Sequence, residues 1–204
     1  MSSSWPAAER PSLEAVAARR ALLEAEAAGD IDSIRAGLDH DDDRVRSSAV
    51  AIGHRIGAWT AADLARVAGD ASLRVRRAVA EIAALEPDVD LAPLLTDAES
   101  VVVEVACWAA GERDDGATHL DTLVTICTGH DDALCREAAV AALGAIGDER
   151  ALPAILAATR DRATVRRRAV LALAPFDTPE VDAALAAALD DRDWQVRQAA
   201  EDLQ

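Results

Sequence analysis

Lysine and tyrosine are absent from this 204-residue chain, phenylalanine and methionine occur once each, and cysteine occurs three times. All 21 basic residues are therefore arginines, and 37 acidic residues bring the formal net charge to -16. Such a field repels phosphate backbones and anionic lipid surfaces, which disfavours nucleic acid and membranes as partners. Acids and arginines run through both halves of the chain, so the charge belongs to the body and not to a tail, and solubility accounts for it. Cys107, Cys127 and Cys135 are odd in number and lack Cys-x-x-Cys spacing. That argues against a disulfide framework and a structural zinc site, and it fits a reducing, cytoplasmic setting. No stretch approaches the roughly 18 uncharged apolar residues of a membrane helix, and the opening residues lack the apolar run of a signal peptide. Glycine loops of the phosphate-binding kind are missing as well. Residues 1–11 read as a loose, disordered leader.

What is abundant is alanine, leucine and valine. An apolar fraction of 51% with only 2% aromatic residues favours closely packed helices over sheets or aromatic-lined pockets. One phrase recurs: an acidic turn, a Val-Arg step, then an alanine-rich apolar run, as in DDDRVRSSAVAIGHRI from position 41 and DRATVRRRAVLALAPF from position 161. Taking Val45, Val75, Val102, Cys135, Val165 and Val196 as equivalent reference residues, the spacings are 30, 27, 33, 30 and 31. Before each reference residue lies another apolar stretch at helical spacing, for example Ile31, Ile34 and Leu38, or Val181, Leu185 and Leu189. Two helices per period follow. Gly, Pro and Asp cluster between periods, where helix ends belong, and no segment alternates with period two, so no strands are expected.

The pattern resembles the HEAT repeat family in its short bacterial form, over roughly residues 30–204. The match to D-x-x-x-x-V-R-x-x-A-A-x-A-L-G-x-I is closest where Cys135-Arg136 leads into Ala138, Ala139, Ala142, Leu143, Gly144 and Ile146. It departs most in the third period, where Val103 stands in the Arg position. The resemblance implies an all-α, alpha-alpha superhelix of about six two-helix repeats, at approximately 30–57, 60–86, 88–112, 117–147, 149–176 and 178–204. An N-terminal capping helix from Leu13 to about Ala28, with Ser12 as its cap, would shield the first repeat, and polar Gln195, Gln198, Glu201, Asp202 and Gln204 would close the last. Residues 12–204 are then one domain, complete at both ends. No unit buries its own face, so stability comes from stacking on neighbours.

The recurrent Arg46, Arg76, Arg136, Arg166 and Arg197 are expected to form a structural ladder, each reaching an Asp in a neighbouring turn. The His-Asp strings at His40 and His130 look like metal ligands in isolation, but both histidines fall where other units carry a turn Asp, so no metal site is assigned. His54 and His119 lie outside that register. Among enzymatic branches of the family, deoxyhypusine hydroxylases hold iron through His-Glu pairs, and this chain has no His-Glu dipeptide. HEAT-like DNA glycosylases use Trp and an acid in a basic cleft; Trp108 with Glu112 or Trp194 imitates the pair, but the acidity of the chain does not suit the cleft. None of the cysteines has a His at a helical neighbour position, so all three read as buried small hydrophobes and no catalytic residue is assigned.

In this family the second helices line the concave face. Positions two and six after the reference residue look into it, and they bring forward Arg77, Glu104, Glu137 and Arg167 with Glu81 and Trp108. Trp108 is either a peptide anchor, since interface hot spots favour Trp and Arg, or a filler of volume beside Ala109 and Ala110. Trp5, Trp59 and Trp194 read as packing or incidental. The expected function is a cytoplasmic, non-enzymatic scaffold without cofactor, binding a basic or mixed-charge protein on its concave face. The alternative is an accessory or chaperone-like lyase factor for a cofactor-bearing protein, as the phycobilin lyase branch suggests.

Overall fold

The computed structural model describes residues 12–203; the expected leader at 1–11, with Trp5, and the terminal Gln204 lie outside them. Thirteen α-helices are described: α1 (Leu13–Ala28), α2 (Ile31–Ala36), α3 (Asp43–Arg55), α4 (Ala61–Ala68), α5 (Leu73–Ile82), α6 (Ala92–Leu95), α7 (Ser100–Glu112), α8 (Leu120–Gly129), α9 (Ala133–Ile146), α10 (Leu152–Ala158), α11 (Ala163–Ala172), α12 (Pro179–Leu189) and α13 (Trp194–Glu201). Short 3-10 turns at Gly37–Asp39, Gly116–His119 and Glu149–Ala151 join some of them, and no strand occurs among the described residues.

The helix starts follow from side chains that accept the otherwise orphaned first N–H groups. Ser12, Asp30, Asp42, Thr60, Ser72, Asp132, Thr178 and Asp193 each cap the helix that follows. At α4 the cap is reciprocal: Asp63 Oδ2 accepts from the Thr60 N–H while Thr60 Oγ1 accepts from the Asp63 N–H. α1 and α9 end on Gly29 and Gly147 with φ of 69° and 67°, a left-handed turn that an L side chain rarely adopts.

The helices form two layers of an alpha-alpha superhelix. Each even-numbered helix packs against the odd-numbered helix that follows it, and α1, α3, α5, α7, α9, α11 and α13 stack successively on one another. The six reference residues sit in this odd layer and are at most 1% exposed, and the residues one turn later, Ala49, Val79, Ala106, Ala139, Ala169 and Ala200, are fully buried. Small side chains there let backbones approach. A Cβ added at Gly144 would lie 2.7 Å from Ala172 Cα on the next odd helix, and one at Gly111 would lie 2.9 Å from Ala142 Cα. α1 stacks on α3 as a member of the odd layer, burying Ala15, Leu22 and Ala25 while Leu13, Val16 and Leu23 stay exposed.

Leu143 is fully buried between units, so Leu143→Ala is expected to destabilise the protein by about 2–5 kcal/mol. Gly144→Ala is expected to destabilise it by about 1–3 kcal/mol through overpacking against α11. Urea unfolding followed by circular dichroism measures both, and unchanged midpoints would show that the assigned register is wrong.

Candidate functional site

Two polar systems run along the odd layer, and separating the structural one exposes the other. The first is an arginine ladder. Arg46 donates through Nε and Nη2 to Asp70 at 2.8 and 2.9 Å, Arg76 to Asp97 at 2.6 and 2.9 Å, Arg136 to Asp161 at 2.6 and 2.8 Å, and Arg166 to Asp191 at 2.8 and 2.7 Å. In each case Nη1 turns back to carbonyls of its own turn, such as His40 and Asp41 for Arg46. One guanidinium thus fixes its own turn and clamps the next unit, a use that needs the planar fork of Arg. Arg197, with no following unit among the described residues, keeps the bond to the Asp191 carbonyl.

The ladder is interrupted once. In α7 the Arg position holds Val103, which is buried. The next turn then carries His130 in place of an Asp, and the first turn, which no ladder arginine reaches, carries His40. The two imidazoles keep the local half of the Asp role. His40 Nδ1 accepts from the Asp42 N–H at 3.0 Å and His130 Nδ1 from the Asp132 N–H at 3.1 Å, as Asp70 and Asp97 accept from Ser72 and Glu99. Imidazole acceptors stand where no guanidinium arrives from a preceding unit. His54, outside this register, pairs with Glu86 at 2.6 Å. Among the described residues no group of three or more His, Cys, Asp or Glu is placed to hold a metal ion.

At the interrupted joint, α7 and α9 are held by close packing and by the Cys135 thiol donating to the Ser100 carbonyl at 3.2 Å. Burial pushes the thiols up, Cys127 and Cys135 to about 11 and Cys107 further, so none offers a thiolate at neutral pH.

Across the same joint lies the second system, a groove of about 730 Å³. Its floor is Ala138, Ala141, Ala142 and Ala145 of α9 with Gly111 of α7. Trp108, 48% exposed, and Leu134, 53% exposed, give it apolar walls. Glu104 and Glu112 stand one helical turn to either side of Trp108, Glu81 enters from α5 and Glu137 from α9. Arg168 of α11 also lines the groove and lies 3.7 Å from Glu137. Of the residues singled out by spacing, Glu81, Glu104, Trp108 and Glu137 therefore meet in one place. Arg77 is outside the lining but pairs with Glu81 at 3.1 Å, and Arg167 gives its place to Arg168 one position on. Leu134 and Arg168 were not singled out by spacing.

Residues 87–174, which span α6 to α11 and nearly the whole groove, match the family described as HEAT repeats. The chain carries HEAT repeats. Residues 165–191 also match the PBS lyase HEAT-like repeat, and comparison with curated proteins gives no match. The HEAT array is similar in fold to solved structures across most of its length. The X-ray structure of Escherichia coli YibA is 18% identical with a TM-score of 0.63, covering 95% of this chain and 75% of that one. A designed armadillo repeat protein is 19% identical with a TM-score of 0.61, covering 83% and 96%. A second designed armadillo repeat protein, in complex with the peptide (KR)4, is 19% identical with a TM-score of 0.50, covering 91% and 84%.

Within the HEAT array the ladder carboxylates are held below the ordinary carboxylate range. For Asp161 and Asp191 the cause is the bond from Arg136 or Arg166; for Asp70 and Asp97 burial pushes upward and is outweighed by Arg46 or Arg76 and by backbone N–H groups. A folded value below the unfolded one means that the ladder contributes fully above the unfolded value, about 4, and is lost as pH falls through the folded values. Thermal melts should accordingly show a midpoint that drops below pH ~4, with a shallower drop in Arg136→Ala. That variant should lose about 1–3 kcal/mol at neutral pH by urea unfolding; no loss would mean that the ladder is not structural.

Proposed function

We propose that this HEAT array is a non-enzymatic scaffold that binds a protein partner through the groove across α7 and α9, on the concave side of the superhelix. The observation that carries this reading is Trp108: a large aromatic ring left half-exposed on a helix where six of the eight other apolar residues are buried, and surrounded by carboxylates. An indole kept in water over an alanine floor is an energetic liability unless something covers it, and Trp is the residue most often found at interface hot spots. The continuous contact between successive odd helices, against more open contact in the even layer, supports the odd layer as the inner curve.

Charge indicates the kind of partner. Four carboxylates and one arginine line the groove in a chain of net charge -16, which favours a basic or mixed-charge segment and speeds its encounter. The designed relative seen with (KR)4 is consistent with a repeat surface of this architecture seating a basic peptide. The same acidity disfavours the glycosylase-like use of Trp108 with Glu112. Three buried, unpaired cysteines and no helix among the described residues long and apolar enough to cross a membrane support a cytoplasmic setting.

Photo-crosslinking in lysate from position 134 in the groove and, in separate variants, from exposed Ala65 of α4 and Ala157 of α10, followed by affinity measurement with the captured protein, tests the reading. Trp108→Ala is expected to weaken binding roughly 30-fold or more, corresponding to about 2 kcal/mol, with an unchanged urea midpoint. A partner whose affinity ignores Trp108→Ala, or that crosslinks only to even-numbered helices, would remove the groove from the function.

A further inference from the structure

The face that holds the groove does not present one charge along its length. Position two after the reference residue falls on the same face of each odd helix, because Glu104 and Glu137 at that position in α7 and α9 both line the groove. In α5 and α11 the equivalent residues are Arg77 and Arg167, both exposed. The face therefore reads positive, negative, negative, positive, with Trp108 over the negative centre. Glu104 and Glu112, which bracket Trp108, make no ion pair with any described residue, and neither does Arg167, whereas Arg77 has only the half-exposed contact to Glu81. These charges are available to a ligand.

The spacing sets a length. Successive odd helices stack, and packed helix axes lie about 8–10 Å apart. Arg77 and Arg167 are three such steps apart, about 24–30 Å, which an extended chain rising about 3.3 Å per residue covers in eight or nine residues. At the centre, a long cationic side chain can lay its methylene stem on the alanine floor and its charge over the indole, with carboxylates on both sides. At either end, a basic residue would meet an arginine and an acidic one would be paired.

We propose that the groove seats an extended partner segment of about nine residues with an arginine or lysine over Trp108 and an acidic residue at each end, about three positions away toward α5 and about five toward α11, held beyond the groove lining by Arg77 and Arg167. This rests on the protein-binding reading of the groove and adds the order of charges along its occupant. The occupant is thus distinguished from a uniformly basic tail.

Three capped, dye-labelled nine-residue peptides on a neutral Gly-Ser background test it by fluorescence anisotropy at low salt. The first carries Arg at the fourth residue and Asp at both ends, the second the reverse, and the third Arg at all three places. The first is expected to bind about tenfold tighter than either of the others. The double variant Arg77→Glu, Arg167→Glu, whose two sites are exposed so that its thermal melt should match the parent, is expected to prefer the third peptide to the first. Equal or tighter binding of the third peptide to the parent protein, abolished by Trp108→Ala, would overturn the charge order and leave the groove reading standing. Binding of all three unaffected by Trp108→Ala, or no binding by any up to about 1 mM, would overturn the charge order and the groove reading together.

Discussion

Every helix pair in this chain has two apolar faces and only one internal partner, so each pair is stable only between its neighbours. The odd-layer contacts meet that demand through fully buried alanine, valine and leucine, with glycine at two close approaches, Gly111 against Ala142 and Gly144 against Ala172. Apolar stacking fixes how near two units lie but is indifferent to sliding. The bidentate arginine bonds supply the missing coordinate: Nε and Nη2 reach the next turn while Nη1 holds the arginine's own turn, so one side chain sets the position of one unit against the other. The charges involved are partly shielded and fully hydrogen-bonded, and among the described residues no buried side-chain nitrogen or oxygen lacks a partner.

Much of this architecture is legible in the chain because each of its causes leaves a residue-level mark. The Val-Arg step marks the odd helix, the preceding Asp or Ser marks its cap, and Pro93, Pro153 and Pro179 sit in the first turns of α6, α10 and α12. The ladder partners are legible as well, because an arginine recurring with an acidic turn at the same period has few other destinations. The shortness of α6 is not. Leu91, Leu94 and Leu95 look like the apolar stretch of any other unit, and only the three-dimensional context ends the helix after four residues.

The groove is legible in part. Counting two and six residues on from the reference positions collects Glu81, Glu104, Trp108 and Glu137, because a helix repeats its face at that interval. The count misses Leu134 and Arg168, which lie at the edge of the same face, one residue before and three after the reference. It also cannot say whether Trp108 points into packing or into water, since alanine neighbours permit either; the exposure of the indole is a property of α9 and its alanines, not of α7 alone. One signal was present and easily overlooked. Histidine replaces the turn aspartate only where no arginine precedes it, at His40 and His130, so a substitution in one unit is explained by a residue in another.

That substitution pattern has a periodicity longer than a single repeat. His40 and His130, Val45 and Cys135, Arg46 and Arg136, Val75 and Val165, Arg76 and Arg166, and Arg77 and Arg167 are each 90 positions apart. Electrostatically the described units fall into two tandem triplets, each opening on a histidine turn; the first closes on α7, where Val103 stands in place of the ladder arginine, and in the second Arg197 holds only its own turn. α7 ends the first triplet and α9 begins the second, so the indole and its alanine floor belong to different halves. The groove is therefore a seam: neither triplet alone supplies both its indole and its alanine floor.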